Sequence, residues 1–122
     1  MSTAPSALGT DPTTAAVATT GPVLVIGAGL LGTSLALALT AAGVEVQLSD
    51  ASPTSLALAR DMGAGSLRTE ESPEPALVVV ATPPDVTAGV VLEALAAHPG
   101  AVVTDVASVK DRIAAEVHRR GG

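Results

Sequence analysis

Val23-Leu24-Val25-Ile26-Gly27-Ala28-Gly29-Leu30-Leu31-Gly32 decides how the rest of the chain is read. Four apolar residues in a row, mostly β-branched, are the pattern of a strand buried on both faces, and this run stops at glycine. Leu31, Leu35 and Leu39 then recur four apart, which predicts a helix from Leu30 to Ala42 with Gly43 just past its end. The glycines between strand and helix match G-x-G-x-x-G. In a chain with 12 glycines among 122 residues that match alone is weak, and its position gives it weight. Gly27 permits a tight turn, Gly29 lets a pyrophosphate approach the backbone, and Gly32 lets the helix lie close to the strand. The anion would sit on the unsatisfied N–H groups at the positive end of the helix dipole. A glycine turn that binds nothing is the competing reading.

Downstream of the turn, strands and helices alternate. Val44-Glu45-Val46-Gln47-Leu48 alternates as a strand and leads to Asp50; Ser52 and Pro53 suit the N-cap and N1 positions of a helix reaching about Met62 and closing at Gly63. Ser66–Thr69 is a candidate short third strand, and the Glu/Pro-rich stretch 70–75 leaves little room for a helix after it. Ala76–Ala81 is a further apolar strand ended by Thr82-Pro83-Pro84. A helix over Asp85–Ala97 follows, with Val86, Val90, Val91 and Leu95 on one face, then a strand over Ala101–Thr104. Ser108 to Arg120 is predicted as a last helix with Val109, Ile113 and Val117 in one stripe. The fold class is therefore α/β, a doubly wound parallel sheet of the Rossmann, dinucleotide-binding type over residues 22–122. Residues 1–21, dominated by Ser, Thr, Ala and Pro, form a flexible leader.

Asp50 lies 21 residues after Gly29, where a carboxylate accepts the ribose hydroxyls of NAD and repels the 2′-phosphate of NADP. No Lys or Arg occurs in 51–59 to neutralise that phosphate, so NAD is favoured over NADP. Thr82 and Pro83, at the C-terminal end of a strand, should pass near the cofactor's ribose or nicotinamide; a plain strand-to-helix turn, with Pro84 at N1, is the alternative. Candidate cofactor contacts are thus Gly27, Ala28, Gly29, Leu30, Leu31, Gly32, Asp50, Thr82 and Pro83. Ser108 ends a segment on the same edge and reads from physics alone as either a helix N-cap or a substrate contact. His98 and His118 are expected on the solvated surface, His98 in a connection on the opposite edge of the sheet. Neither offers a positioned general base.

Composition removes other classes. The chain has no Phe, Tyr or Trp, 24 Ala, 6 Lys+Arg against 12 Asp+Glu and a net charge of −6. With nothing to stack on a base and no basic stripe, nucleic-acid binding is set aside. The absence of cysteine excludes disulfides, thiolate metal sites and cysteine nucleophiles, fits a reducing compartment such as the cytoplasm, and leaves two histidines that make no metal site. No charge falls between Asp11 and Glu45, and 23–44 is long enough to span a bilayer. Its internal glycines and hydroxyls, and the lack of a flanking Lys or Arg, argue instead for a buried strand and helix. An aromatic-free core of this size is thin, as expected of a domain whose apolar surface a partner domain covers.

Val25-Ile26-Gly27-Ala28-Gly29-Leu30-Leu31-Gly32-Thr33-Ser34, taken with Thr104-Asp105-Val106-Ala107-Ser108-Val109-Lys110, resembles the amino-terminal domain of prephenate dehydrogenases. The second block is the more specific, because many dehydrogenases share the glycine loop. The resemblance covers about 22–120 and implies the oxidative decarboxylation of prephenate to 4-hydroxyphenylpyruvate in tyrosine biosynthesis. It matches Ser108 to the family's active-site serine, which positions the substrate hydroxyl and the catalytic histidine. It also matches Gly27, Gly29, Gly32 and Asp50 to dinucleotide contacts. The family's catalytic histidine, in an H-P-M-x-G segment, and its helical dimerisation domain both follow the Ser108 block. His98 precedes that block and is not this histidine. The expectation is an NAD-binding fragment of a homodimeric enzyme, inactive by itself. Alternatives are a non-catalytic NAD-sensing module and an arogenate or other β-hydroxyacid-type dehydrogenase.

Overall fold

The computed structural model describes residues 21–106, and the expected leader and last helix lie outside them, Gly21 apart. Five strands, β1 (Val23–Ile26), β2 (Val46–Ser49), β3 (Ser66–Leu67), β4 (Leu77–Val80) and β5 (Val102–Asp105), form one sheet in the order β3-β2-β1-β4-β5, every pair parallel. Three helices alternate with them: α1 (Leu30–Ala41), α2 (Pro53–Asp61) and α3 (Pro84–Ala97). The doubly wound parallel sheet is therefore as expected, with strand boundaries shifted by one or two residues. From the edge strand β3 the chain crosses back past β2 and β1 to β4, and this places the ends of β1 and β4 side by side.

Each face of the sheet has its own core. Val23, Val25, Val46, Leu48, Leu77 and Val79 pack with Ala36 and Leu39 of α1 and Ala59 of α2. Leu24, Val78 and Val80 pack with Ala94 of α3, joined by Ile26, Val90, Val91 and Val103. Burial on both sides explains why β1 and β4 are continuous apolar runs. The same fact corrects the reading of β2. Its residues do not alternate between core and solvent: Gln47 is 2% exposed, because it faces the second layer with Leu24. Its amide is satisfied there, Nε2 donating to Pro73 O at 2.7 Å and Oε1 accepting from Arg68 Nη1 at 2.6 Å.

The helix faces also differ from the leucine and valine spacing. In α1 the buried residues are Gly32, Thr33, Ala36 and Leu39, while Leu31 is exposed and Leu35 half-buried. In α3 only Ala94 is fully buried; Val90 and Val91 are half-buried, and Val86 and Leu95 are exposed. Small residues turn inward because they let a helix axis approach the sheet, and the larger side chains splay to the flanks. Helix ends follow the sequence closely. Ser52 Oγ accepts from Ser55 N at 3.2 Å ahead of Pro53, and Gly43 and Gly63 take φ of +88° and +86° past α1 and α2. No helix among the described residues is long and apolar enough to cross a membrane; 23–41 divides into β1, a turn and α1.

The buried amide gives a direct test of the packing. Gln47→Leu removes an acceptor from Arg68 and a donor from Pro73 O in a nearly dry setting. It should lower unfolding free energy by about 1–3 kcal/mol in urea titration. An unchanged midpoint would show that water replaces both bonds.

Candidate functional site

Three chain segments converge at the C-terminal edge of the sheet. Gly27 leaves β1 with φ +110°, and a Cβ there would lie 2.5 Å from Ala81 O at the end of β4. Gly32, in the first turn of α1, has room for no side chain at all: a Cβ would fall 1.9 Å from Gly27 O and 3.2 Å from Ala81 Cβ. Backbone bonds hold the crossing, Gly27 N donating to Ser49 O and Ala81 N to Ile26 O, each at 2.7 Å. Thr33 Oγ1 donates to Ala28 O at 3.0 Å and closes the turn from the helix side. Gly29 differs from its neighbours. Nothing lies within 4 Å of the position its Cβ would take, and its φ of −76° is open to any residue.

The start of α1 is capped by no side chain. Gly29 as N-cap has no side chain to bond the first-turn N–H groups, and that turn carries no acidic residue. By contrast, Ser52 caps α2, and Asp85 stands in the first turn of α3. Asp50 is brought to the same place by β2, one residue past its end. Its Oδ2 accepts from Ala28 N, inside the glycine turn, and its Oδ1 accepts from Ser52 N at 2.7 Å. Each oxygen keeps an acceptor position for a further donor. The loop after β4 is pinned as well, Thr87 Oγ1 donating to Pro83 O at 2.9 Å and lying 3.0 Å from Thr82 Oγ1.

These segments border a cleft of about 950 Å³ that runs along α3 over the second face of the sheet. Of the residues expected at the site, Gly27, Gly29, Leu30, Leu31, Asp50, Thr82 and Pro83 line it. Ala28 and Gly32 are buried behind it and shape the turn. Ser108 lies outside the described residues. The sequence reading missed the cleft's other walls: Ser49, Ala51, Ser55 and Arg68 on the side of Asp50; Ile26 in the floor; Val86 and Val90 of α3; and His98 at the end of α3.

His98 corrects an expectation. It is not solvated surface: its side chain is 11% exposed, and Nδ1 lies 2.8 Å from Glu74 Oε1. The stretch 68–76 carries no helix, so it folds back beside Gln47 and sets Glu74 against the end of α3. Glu74 also meets Arg68 Nη2 at 3.1 Å. The hydrogen bond from His98, first, and then the nearby charges of His98 and Arg68 and the hydrogen bond from Arg68 hold the Glu74 carboxyl below its usual pKa, outweighing the opposing effect of desolvation. A pair 24 residues apart leaves no mark in local sequence spacing. Among the described residues no group of His, Asp or Glu side chains is placed to hold a metal ion.

The family model for the prephenate dehydrogenase nucleotide-binding domain matches residues 35–122. The chain belongs to that family. The match begins after the glycine turn, so turn geometry and family membership are independent findings. The chain is also 42% identical over 88 residues to the probable prephenate dehydrogenase NovF of Streptomyces niveus, an alignment covering 71% of this chain and 24% of that protein. It thus spans about a quarter of the length of the curated relative it matches. A nucleotide-binding domain of the prephenate dehydrogenase family takes a dinucleotide cofactor. The uncapped start of α1, the open space at Gly29 and the Asp50 carboxylate suit a pyrophosphate and an adjoining ribose.

Two glycine substitutions separate scaffold from surface. Gly32→Ala drives a Cβ into Gly27 O and should cost about 2 kcal/mol or more in chemical denaturation. Gly29→Ala meets nothing and should stay within about 0.5 kcal/mol of the parent. Equal effects at the two positions would contradict the packing described.

Proposed function

We propose that residues 22–122 are the NAD-binding domain of a prephenate dehydrogenase. The observation that carries the cofactor choice is Asp50, whose carboxylate is tied to Ala28 N and so fixed beside the start of α1. From there it accepts the adenosine ribose hydroxyls, while its charge opposes a 2′-phosphate. Arg68 lies in the same cleft, yet it does not offset that repulsion, because its guanidinium is already bound to Glu74, Gln47 and Pro73.

Within this reading each residue has a limited task. The N–H groups opening α1 hold the pyrophosphate, and the absence of a Cβ at Gly29 lets it approach. Leu30, Leu31, Thr82 and Pro83 line the part of the cleft nearest the turn and exclude water there. A bound dinucleotide would supply a hydride acceptor for the ring carbon that bears the substrate hydroxyl, with that hydroxyl's proton passing to a base and CO2 lost as the ring becomes aromatic. Ser108, by the family resemblance, orients the substrate hydroxyl. The base does not come from His98, which is engaged with Glu74 far along α3 from the glycine turn. The substrate is prephenate, and the working enzyme is a homodimer in the cytoplasm.

Calorimetric titration checks the cofactor assignment. The chain should bind NAD more tightly than NADP. Asp50→Asn should weaken NAD about tenfold or more and narrow the preference; Gly29→Ala should weaken both dinucleotides while leaving the melting curve in place. Equal or tighter binding of NADP by the parent chain overturns the Asp50 argument. For the reaction, the 122-residue chain supplied with prephenate and NAD should form no appreciable NADH. Steady turnover would mean that a base within these residues has been overlooked.

A further inference from the structure

Arg68 is a charged residue of the cleft wall that the proposed chemistry leaves without a task. It follows β3 directly, and its backbone N–H donates to Leu48 O at 3.0 Å. Leu67 pairs with Leu48, so Arg68 stands level with Ser49, one residue before Asp50. Its guanidinium is fixed by three acceptors: Gln47 Oε1 at 2.6 Å, Pro73 O at 3.0 Å and Glu74 Oε2 at 3.1 Å. Each of these is itself held. Gln47 is buried and bonded to Pro73 O, and Glu74 is braced by His98 from the end of α3. The Arg68 side chain is only 19% exposed.

A guanidinium held in this way is poorly suited to seize a phosphate. Its charge faces Glu74, and three of its N–H groups already have acceptors. What it still offers is its flat face. A planar cation attracts the face of an aromatic ring, and a pinned one does so with little entropy left to lose. The chain has no Phe, Tyr or Trp to take that role, and His98 is bound to Glu74. Across the cleft stand Val86 and Val90, aliphatic and partly open.

We propose that Arg68 is a specificity-determining residue of the cleft, a pinned cationic platform on which the base attached to the Asp50-bound ribose stacks, with Val86 and Val90 on the other side. This rests on the dinucleotide reading of the cleft. It adds that the base is recognised by its face and not by hydrogen bonds to its edge. A dinucleotide with an altered purine edge should therefore be accepted, and a ligand without the purine should be indifferent to Arg68.

The test is calorimetry on the 122-residue chain with NAD, nicotinamide hypoxanthine dinucleotide and nicotinamide mononucleotide, repeated for Arg68→Lys, which keeps the charge and loses the plane. The parent should bind NAD and the hypoxanthine dinucleotide within about threefold of each other. Arg68→Lys should weaken both about five- to tenfold and leave the mononucleotide unchanged. NAD binding by Arg68→Lys within about twofold of the parent overturns the proposal, as does rejection of the hypoxanthine dinucleotide by the parent more than about tenfold. Should Arg68→Lys melt below the assay temperature, the base exchange on the parent chain decides alone. No binding of NAD by the parent would instead overturn the dinucleotide reading, so the two failures are told apart.

Discussion

The contact between Gly32 and the carbonyl of Gly27 is the constraint on which the rest of the structure depends. A helix can begin immediately after β1, and lie against it, only if neither residue carries a side chain. The same closeness brings Ala81 from β4 against both. Three consequences follow from this single approach. The α1 dipole points out over the C-terminal edge of the sheet, the loops after β1 and β4 share one wall, and Asp50 lies close enough to bond Ala28 N. The uncapped start of α1 and the carboxylate beside it are products of this packing.

How much of this could be seen in the sequence divides by range. Local signals carried the elements: the Val23–Ile26 run, Ser52-Pro53 ahead of α2, glycines past two helices, and prolines opening α3. The turn's chemistry was legible too, since a strand, three spaced glycines and a helix admit few geometries. Which face of a helix turns inward was not. Leucine spacing suggested Leu31 and Leu35 in α1, whereas Ala36 and Thr33 are buried, because depth of approach favoured volume over hydrophobicity. Gln47 looked like the outward member of an alternating strand, and nothing local announced that a second layer would cover it. The chain joining Glu74, His98, Arg68 and Gln47 was the least visible part, since it is made of tertiary contacts between segments about 20 residues or more apart, Glu74 and Arg68 excepted.

The lack of aromatic residues has a related structural effect. Alanine, glycine and valine bury less area per residue than rings do, and they also permit the short spacing seen at α1. The larger apolar side chains consequently gather at the margins: Leu30 and Leu31 by the cleft, Leu92 and Leu95 on α3, and Val102 on β5 are all exposed. Leu30, at 84% exposure, stands at the first position of α1. Its apolar side chain therefore contributes to the boundary of the cleft rather than to the core.

The cleft itself follows from a helix that the 68–76 connection does not form. Among the described residues, one face of the sheet is covered by α1 and α2 and the other by α3, and the 68–76 connection, rich in Glu and Pro, adds no helix there. A helix in that position would fill the space over β1 and β2. An unanchored loop would leave the space without a far wall. The observed arrangement lies between these cases: Gln47, from the sheet, holds Pro73; Arg68 and His98, from opposite sides, hold Glu74. The polar residues of a buried strand and a helix cap therefore give an otherwise uncovered strip of sheet its far wall. Their net effect on stability is small where they are exposed, as at Glu74, so their importance lies in geometry. A groove walled by Arg68 on one side and by valines on the other already has the two surfaces between which a flat ring fits.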